Sequence, residues 1–156
     1  MPPTKSKAEL RATALAAREA MSEAKRAKAA QALAKRGLPI EITPGMIVSG
    51  YSPIRNEIDP VPLMQTLVAL GARLALPTVN ARGRSLVFRA WSPGDRLMLG
   101  PLGIPEPSPA AAEVVPDIML VPLAAFAVGA LDPGVPYESR WAPYVRIHGP
   151  GQGQFP

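Results

Sequence analysis

Residues 46–77 constrain the fold more than any other part of the chain. An apolar run through Met46, Ile47 and Val48 leads into a polar loop, and a helical pattern follows it. Asp59 is placed to cap that helix, with Pro60 at its first position and Leu70 near its end. Gly71 stops it, and residues 73–77 read as a second strand. A strand, a helix and a second strand in this order predict a crossover unit with parallel pairing. Parallel strands are buried on both faces, so such a unit needs a layered α/β architecture around it.

The flanking stretches supply those layers. Residues 5–36 are rich in Ala, Leu, Glu, Lys and Arg, all strong helix formers. Leu10, Ala14, Ala17 and Met21 recur at helical spacing and would form an apolar stripe. Ser22 would divide the stretch into two helices if it serves as a second N-cap, and Gly37 with Pro39 beyond it is a stop signal. Residues 86–91 predict a third strand after a turn at 81–84, and residues 92–95 another turn. Residues 100–109 read as a Pro- and Gly-rich loop, and residues 117–121 as an apolar strand. From residue 127, ten of thirty residues are Pro or Gly and the apolar positions lose any clean period, which predicts an irregular tail.

With 156 residues, one domain with one core is expected. The absence of cysteine excludes disulfides, thiol nucleophiles and Cys-ligated metals. No apolar run approaches the length of about 20 residues that a membrane span needs, and no signal-peptide core follows the Lys-rich start. A cytoplasmic monomer is the expectation. A net charge of +5 favours anionic partners such as nucleotides, phosphates or nucleic acid. His148 is the only histidine, so neither a His-rich metal site nor a Ser-His pair has support. Residues 129–134 lack the Gly-Lys-Ser/Thr of a Walker loop. The basic residues lack the aromatic interleaving of an RNA-binding sheet, so nucleic acid is not the expected partner.

The loop at 50–59 carries the densest chemistry. Tyr51, Ser52, Arg55, Glu57 and Asp59 follow directly on the first strand, where open α/β sheets place their ligands. Tyr51 would either stack on a flat ring or pack into the core with its hydroxyl wet. Trp91, at the end of an alternating strand, reads as core.

Four ordered stretches complete the picture: Lys7-Ala8-Glu9-Leu10-Arg11, the loop through Tyr51 and Glu57, Leu74-Ala75-Leu76-Pro77, and Gly103-Ile104-Pro105-Glu106-Pro107. The runs at 86–95 and 120–126 lie among and after them. Together, over residues 5–126, they resemble the 5-formyltetrahydrofolate cyclo-ligase family, also called methenyltetrahydrofolate synthetases. The resemblance implies a three-layer αβα fold with a mostly parallel sheet and an N-terminal helix or helix pair packed on it. It implies magnesium- and ATP-dependent closure of 5-formyltetrahydrofolate to 5,10-methenyltetrahydrofolate. The formyl oxygen attacks the γ-phosphate, the folate N10 attacks the activated carbon, and phosphate leaves. It gives Lys7 and Arg11 an ATP contact, and gives Tyr51, Ser52, Glu57, Ile104 and Glu106 places around the folate. Taken alone, Lys7 and Arg11 would be a solvated helix face, and 104–106 a rigid Pro-rich turn.

After Phe126 the family continues into a glycine-rich stretch that wraps ATP phosphates and supplies a magnesium-binding aspartate. Here Pro133 and Pro136 remove backbone donors, and Leu131 and Val135 add bulk. The expectation is a domain over 1–126 and a divergent or truncated tail over 127–156. The ATP half of the site would be weaker than the folate half, and turnover slow or absent. A catalytically inactive folate- or nucleotide-binding homologue is the alternative, and a basic nucleic-acid-binding module a third.

Overall fold

The computed structural model describes residues 6–79, 85–124 and 145–147. Two helices open the chain, α1 (Lys7–Glu19) and α2 (Glu23–Arg36). The division falls at Ser22, whose hydroxyl accepts the Lys25 N–H. Ser6 caps α1 with a full capping box: its hydroxyl accepts the Glu9 N–H, and the Glu9 carboxylate accepts the Ser6 N–H at 2.7 Å. Gly37 ends α2 in the left-handed region at φ 70°.

The crossover unit is β1 (Ile47–Ser49), α3 (Val61–Ala69) and β2 (Arg73–Thr78), and β1 and β2 pair in parallel. The helix starts one residue later than the Asp59-Pro60 pattern suggested. Pro60 occupies the cap position, and the Asp59 carboxylate accepts the Val61 N–H at 2.9 Å, satisfying a donor that proline cannot. Beyond β2 come β3 (Val87–Ala90), β4 (Leu97–Leu99), β5 (Pro105–Pro107), β6 (Glu113–Val114), β7 (Ile118–Leu120) and β8 (Val145–Ile147).

Six strands form one sheet in the order β6-β3-β2-β1-β7-β8. Its centre, β2-β1-β7, is parallel, and the flanking strands β3, β6 and β8 join antiparallel. This is the expected mixed α/β architecture with a parallel centre. The parallel strands are short, and a long-range bond helps hold them. The Asp117 N–H donates to the Ile47 carbonyl, and the Asp117 carboxylate accepts the Ile47 N–H at 2.8 Å. The core lies between this sheet and α3. Val48, Leu74, Leu76, Ile118 and Leu120 meet Leu63, Met64 and Leu67, and Ala34 of α2 joins them. Trp91 belongs to this core, as its position predicted.

Two segments differ from the sequence-based expectation. Residues 105–107 are a strand, not loop: β5 pairs antiparallel with β4 in a separate two-stranded sheet. Pro105 and Pro107 flank Glu106, which faces Met98, so the prolines fall on alternate positions of an edge strand. In the tail, the backbone of β8 pairs with β7, so these three residues are not irregular. The turn at 81–84 and the rest of the tail lie outside the described residues.

The apolar stripe of α1 is not core either. Leu10 and Met21 remain 46% and 39% exposed. Its lower half borders a crevice instead.

Candidate functional site

The chain leaves β1 at Gly50, β2 at Val79 and β7 at Val121, all from the same edge of the parallel centre. From β1 it crosses through α3 to β2 on one side, while β7 lies on the other. Loops on opposite sides therefore part above β1 and β7, the arrangement that opens a ligand crevice.

A crevice of about 400 Å³ is found there. The loop after β1 contributes Asn56 and Glu57, the segment after β7 contributes Pro122 and Leu123, and α1 and α2 contribute Arg18 and Arg26. Its volume suits a small-molecule ligand. Among the described residues the walls carry two guanidinium groups against one carboxylate, which favours an anion.

The loop that supplies Glu57 is held by its own side chains. The Tyr51 hydroxyl donates to the Ile58 carbonyl at 2.7 Å. A tight turn runs between, with the Glu57 N–H donating to the Ile54 carbonyl at 3.2 Å and Arg55 in the left-handed region at φ 53°. A non-glycine residue there is uncommon and strained, and such residues concentrate at functional loops. Glu57 Oε2 accepts the Ile54 N–H at 3.0 Å. One carboxylate oxygen thus orients the side chain, and Oε1 has no partner among the described residues.

At the base of the loop the chain passes close to α3. A Cβ on Gly50 would fall 2.2 Å from Met64 Sδ, so any side chain here would push the buried Met64 side chain aside. Tyr51 and Ser52 then border a second, smaller cavity of about 160 Å³ with Trp91 and Pro105. The Ser52 hydroxyl donates to the Pro105 carbonyl at 2.7 Å and ties this loop to the β4-β5 hairpin. Trp91 Nε1 is buried in this region without a hydrogen-bond partner.

The residues singled out in the sequence are therefore only partly brought together. Glu57 lines the crevice between the β1 and β7 loops. Tyr51 and Ser52 line the smaller cavity beside it, and Tyr51 clasps the loop. The Ile104 carbonyl accepts the Gly100 N–H at 2.9 Å inside the hairpin. Glu106 is 8% exposed, and its Oε1 accepts the Val79 N–H at 3.0 Å. Its carboxyl packs against Gly100, where a Cβ would stand 2.3 Å away. Arg11 is exposed, one to two turns along α1 from the crevice-lining Ala14 and Arg18. Position 7 falls on the same helical stripe as 11, 14 and 18. Arg18 and Arg26 were not singled out in the sequence. The spacing 7, 11, 14, 18 was the available signal for Arg18; for Arg26 there was none, because a different helix carries it.

Comparison with known proteins places this geometry. The profile of the 5-formyltetrahydrofolate cyclo-ligase family matches residues 3–129. A 5-formyltetrahydrofolate cyclo-ligase of Mycolicibacterium smegmatis is 34% identical over 129 residues, covering 78% of this chain and 66% of that protein. Among solved structures, the 5,10-methenyltetrahydrofolate synthetase of Aquifex aeolicus is similar at 29% identity and a TM-score of 0.55, over 69% of this chain and 54% of the other. That of Mycoplasma pneumoniae shares the fold at 20% identity and a TM-score of 0.51, over 76% of this chain and 65% of the other. The chain thus spans between about half and two thirds of the length of these relatives. With the family profile matched over most of its residues, and the crevice lying at the carboxyl ends of the parallel strands, the chain belongs to the 5-formyltetrahydrofolate cyclo-ligase family.

Proposed function

We propose that this chain binds a reduced folate and ATP and closes 5-formyltetrahydrofolate to 5,10-methenyltetrahydrofolate, releasing ADP and phosphate. The observation that carries this reading is Glu57. It stands in the crevice at the sheet's carboxyl edge, oriented through Oε2 and with Oε1 unpartnered among the described residues. A carboxylate held in this way accepts N–H donors of a pterin ring. Tyr51 and Ser52 shape the adjoining wall, and Ile104 holds the hairpin that Ser52 is tied to. Glu106 supports that wall from behind through Val79. Lys7 and Arg11 supply the nucleotide contact, one turn apart on α1.

Phosphoryl transfer depends mainly on positioning and on neutralising charge at the γ-phosphate. The described residues include no group of three His, Cys, Asp or Glu side chains that would hold a metal by itself. Magnesium therefore stays an implication of the family resemblance, and no step is assigned to it. A second reading, folate binding without turnover, is favoured by Pro133 and Pro136 where the family has a glycine-rich phosphate loop. A cytoplasmic monomer accompanies either reading.

The test combines binding and turnover on the full chain. Calorimetric titration with 5-formyltetrahydrofolate reports the folate half, and methenyl absorbance with ATP and magnesium reports the reaction. Folate binding with ATP-dependent methenyl formation supports the first reading. Folate binding without product supports the second, and absence of folate binding overturns both.

A further inference from the structure

We propose that Arg18 is an oxyanion ligand of the crevice, completing a cationic stripe that Arg11 begins. The proposal deepens the reading above and rests on the crevice being the substrate site. Arg18 sits in the last turn of α1 and lines the crevice opposite the loop that carries Glu57. Its Nε is shut off from solvent and makes no hydrogen bond, and no described residue pairs with its guanidinium. Burying a charged donor without a partner is unfavourable. Arginine normally meets a carboxylate or phosphate through two parallel N–H donors. The guanidinium therefore lines the crevice with no carboxylate partner among the described residues, which leaves its charge for a ligand oxyanion.

The neighbouring arginine shows what a structural role looks like in the same place. Arg26 also lines the crevice, but its Nη1 donates to the Met21 carbonyl and straps α2 to the end of α1. Arg18 has no such strap. Glu57 does not neutralise it either, since no ion pair joins them and Glu57 Oε2 is occupied by the Ile54 N–H. The helical spacing of 11, 14 and 18 puts Arg11 and Arg18 on one side of α1, with Ala14 and Leu15 in the turns between them. Two substrate groups have the required chemistry: a nucleotide phosphate and the carboxylate of a folate.

The experiment titrates the full chain with tripolyphosphate and, separately, with 5-formyltetrahydrofolate, using wild type, Arg18→Met and Arg18→Lys. Loss of a charge-assisted pair is expected to weaken one of the two ligands about 10- to 100-fold in Arg18→Met. Arg18→Lys should recover part of that loss, because it restores charge but not the fork. The unfolding midpoint should stay at the wild-type value in both variants. A loss confined to tripolyphosphate identifies a phosphate as the oxyanion, and a loss confined to the folate identifies its carboxylate; either supports the proposal. Wild-type affinity for both ligands in Arg18→Met overturns it. So does a loss that Lys does not restore and that a lowered unfolding midpoint accompanies, since that marks a packing role. If wild type binds tripolyphosphate but not folate, and Arg18→Met loses the former, the inference stands and the folate reading falls. If wild type binds folate and Arg18→Met binds it equally, with no tripolyphosphate bound by either, the inference falls and the folate reading stands.

Discussion

The Tyr51 hydroxyl donates a 2.7 Å hydrogen bond to the carbonyl of Ile58, seven residues on, and closes the loop that carries Glu57. That clasp brackets the left-handed Arg55 and the turn from Ile54 to Glu57. It converts a polar connection into a shaped wall, so its removal should be felt in binding more than in folding. Tyr51→Phe keeps the ring and deletes the donor. A neutral hydrogen bond contributes about 0.5–1.5 kcal/mol, so the unfolding midpoint in urea should fall slightly. Folate affinity should fall alongside it, measured by calorimetry well below that midpoint.

Glu57→Ala should leave stability nearly unchanged, because its bond to the Ile54 N–H is exposed. Folate affinity should drop by about 1.5–3 kcal/mol, the range for a hydrogen bond to a charged group. Glu57→Gln retains an acceptor for Ile54 and should lose less. Equal folate affinity in wild type and Glu57→Ala would remove the carboxylate from the site.

Glu106 should behave oppositely. Its buried carboxylate holds the Val79 N–H, where the chain leaves β2. Glu106→Ala strands that donor and should destabilise the fold by about 1–3 kcal/mol. Gly100→Ala should act in the same direction, since its Cβ would meet the Glu106 carboxyl at 2.3 Å. Thermal unfolding checks both, and folate affinity of the folded protein should change little in either variant. A large affinity loss at full stability would make Glu106 a direct substrate contact.

Acid should loosen the start of α1. The Ser6 backbone N–H, and then the Ser6 hydroxyl, hold the Glu9 carboxyl below its usual value of 4.5. A depressed folded-state value means stability present above pH 4.5 and lost as pH falls through the lower folded value. The backbone amide of Glu9 should therefore exchange faster below that pH, read by amide exchange in NMR spectra. Ser6→Ala removes both hydroxyl bonds of the capping box but keeps the backbone N–H that holds Glu9 most strongly, so it should weaken this dependence without abolishing it.

Short-range chemistry explains how much could be read in advance. The break at Ser22, the stop at Gly37, the start of α3 just after Asp59 and its end before Gly71 all depend on residues within about one turn of each other. The parallel β1-β2 pair follows from the helix between them, and the ordered stretches from Lys7 to Phe126 carried the family. Long-range pairing settled what remained. Proline-rich 105–107 became a strand because β4 offered it an edge, with Glu106 opposite Met98. Asp117 joined Ile47 across 70 residues of chain, which put β7 beside β1 and opened the crevice between their loops. Glu106 passed from loop acid to buried acceptor through Val79, 27 residues away. The same folding brought Arg18 and Arg26, on two helices, opposite Glu57. Capping and periodicity are local and written in adjacent residues, whereas burial and partner choice exist only once distant segments share a surface.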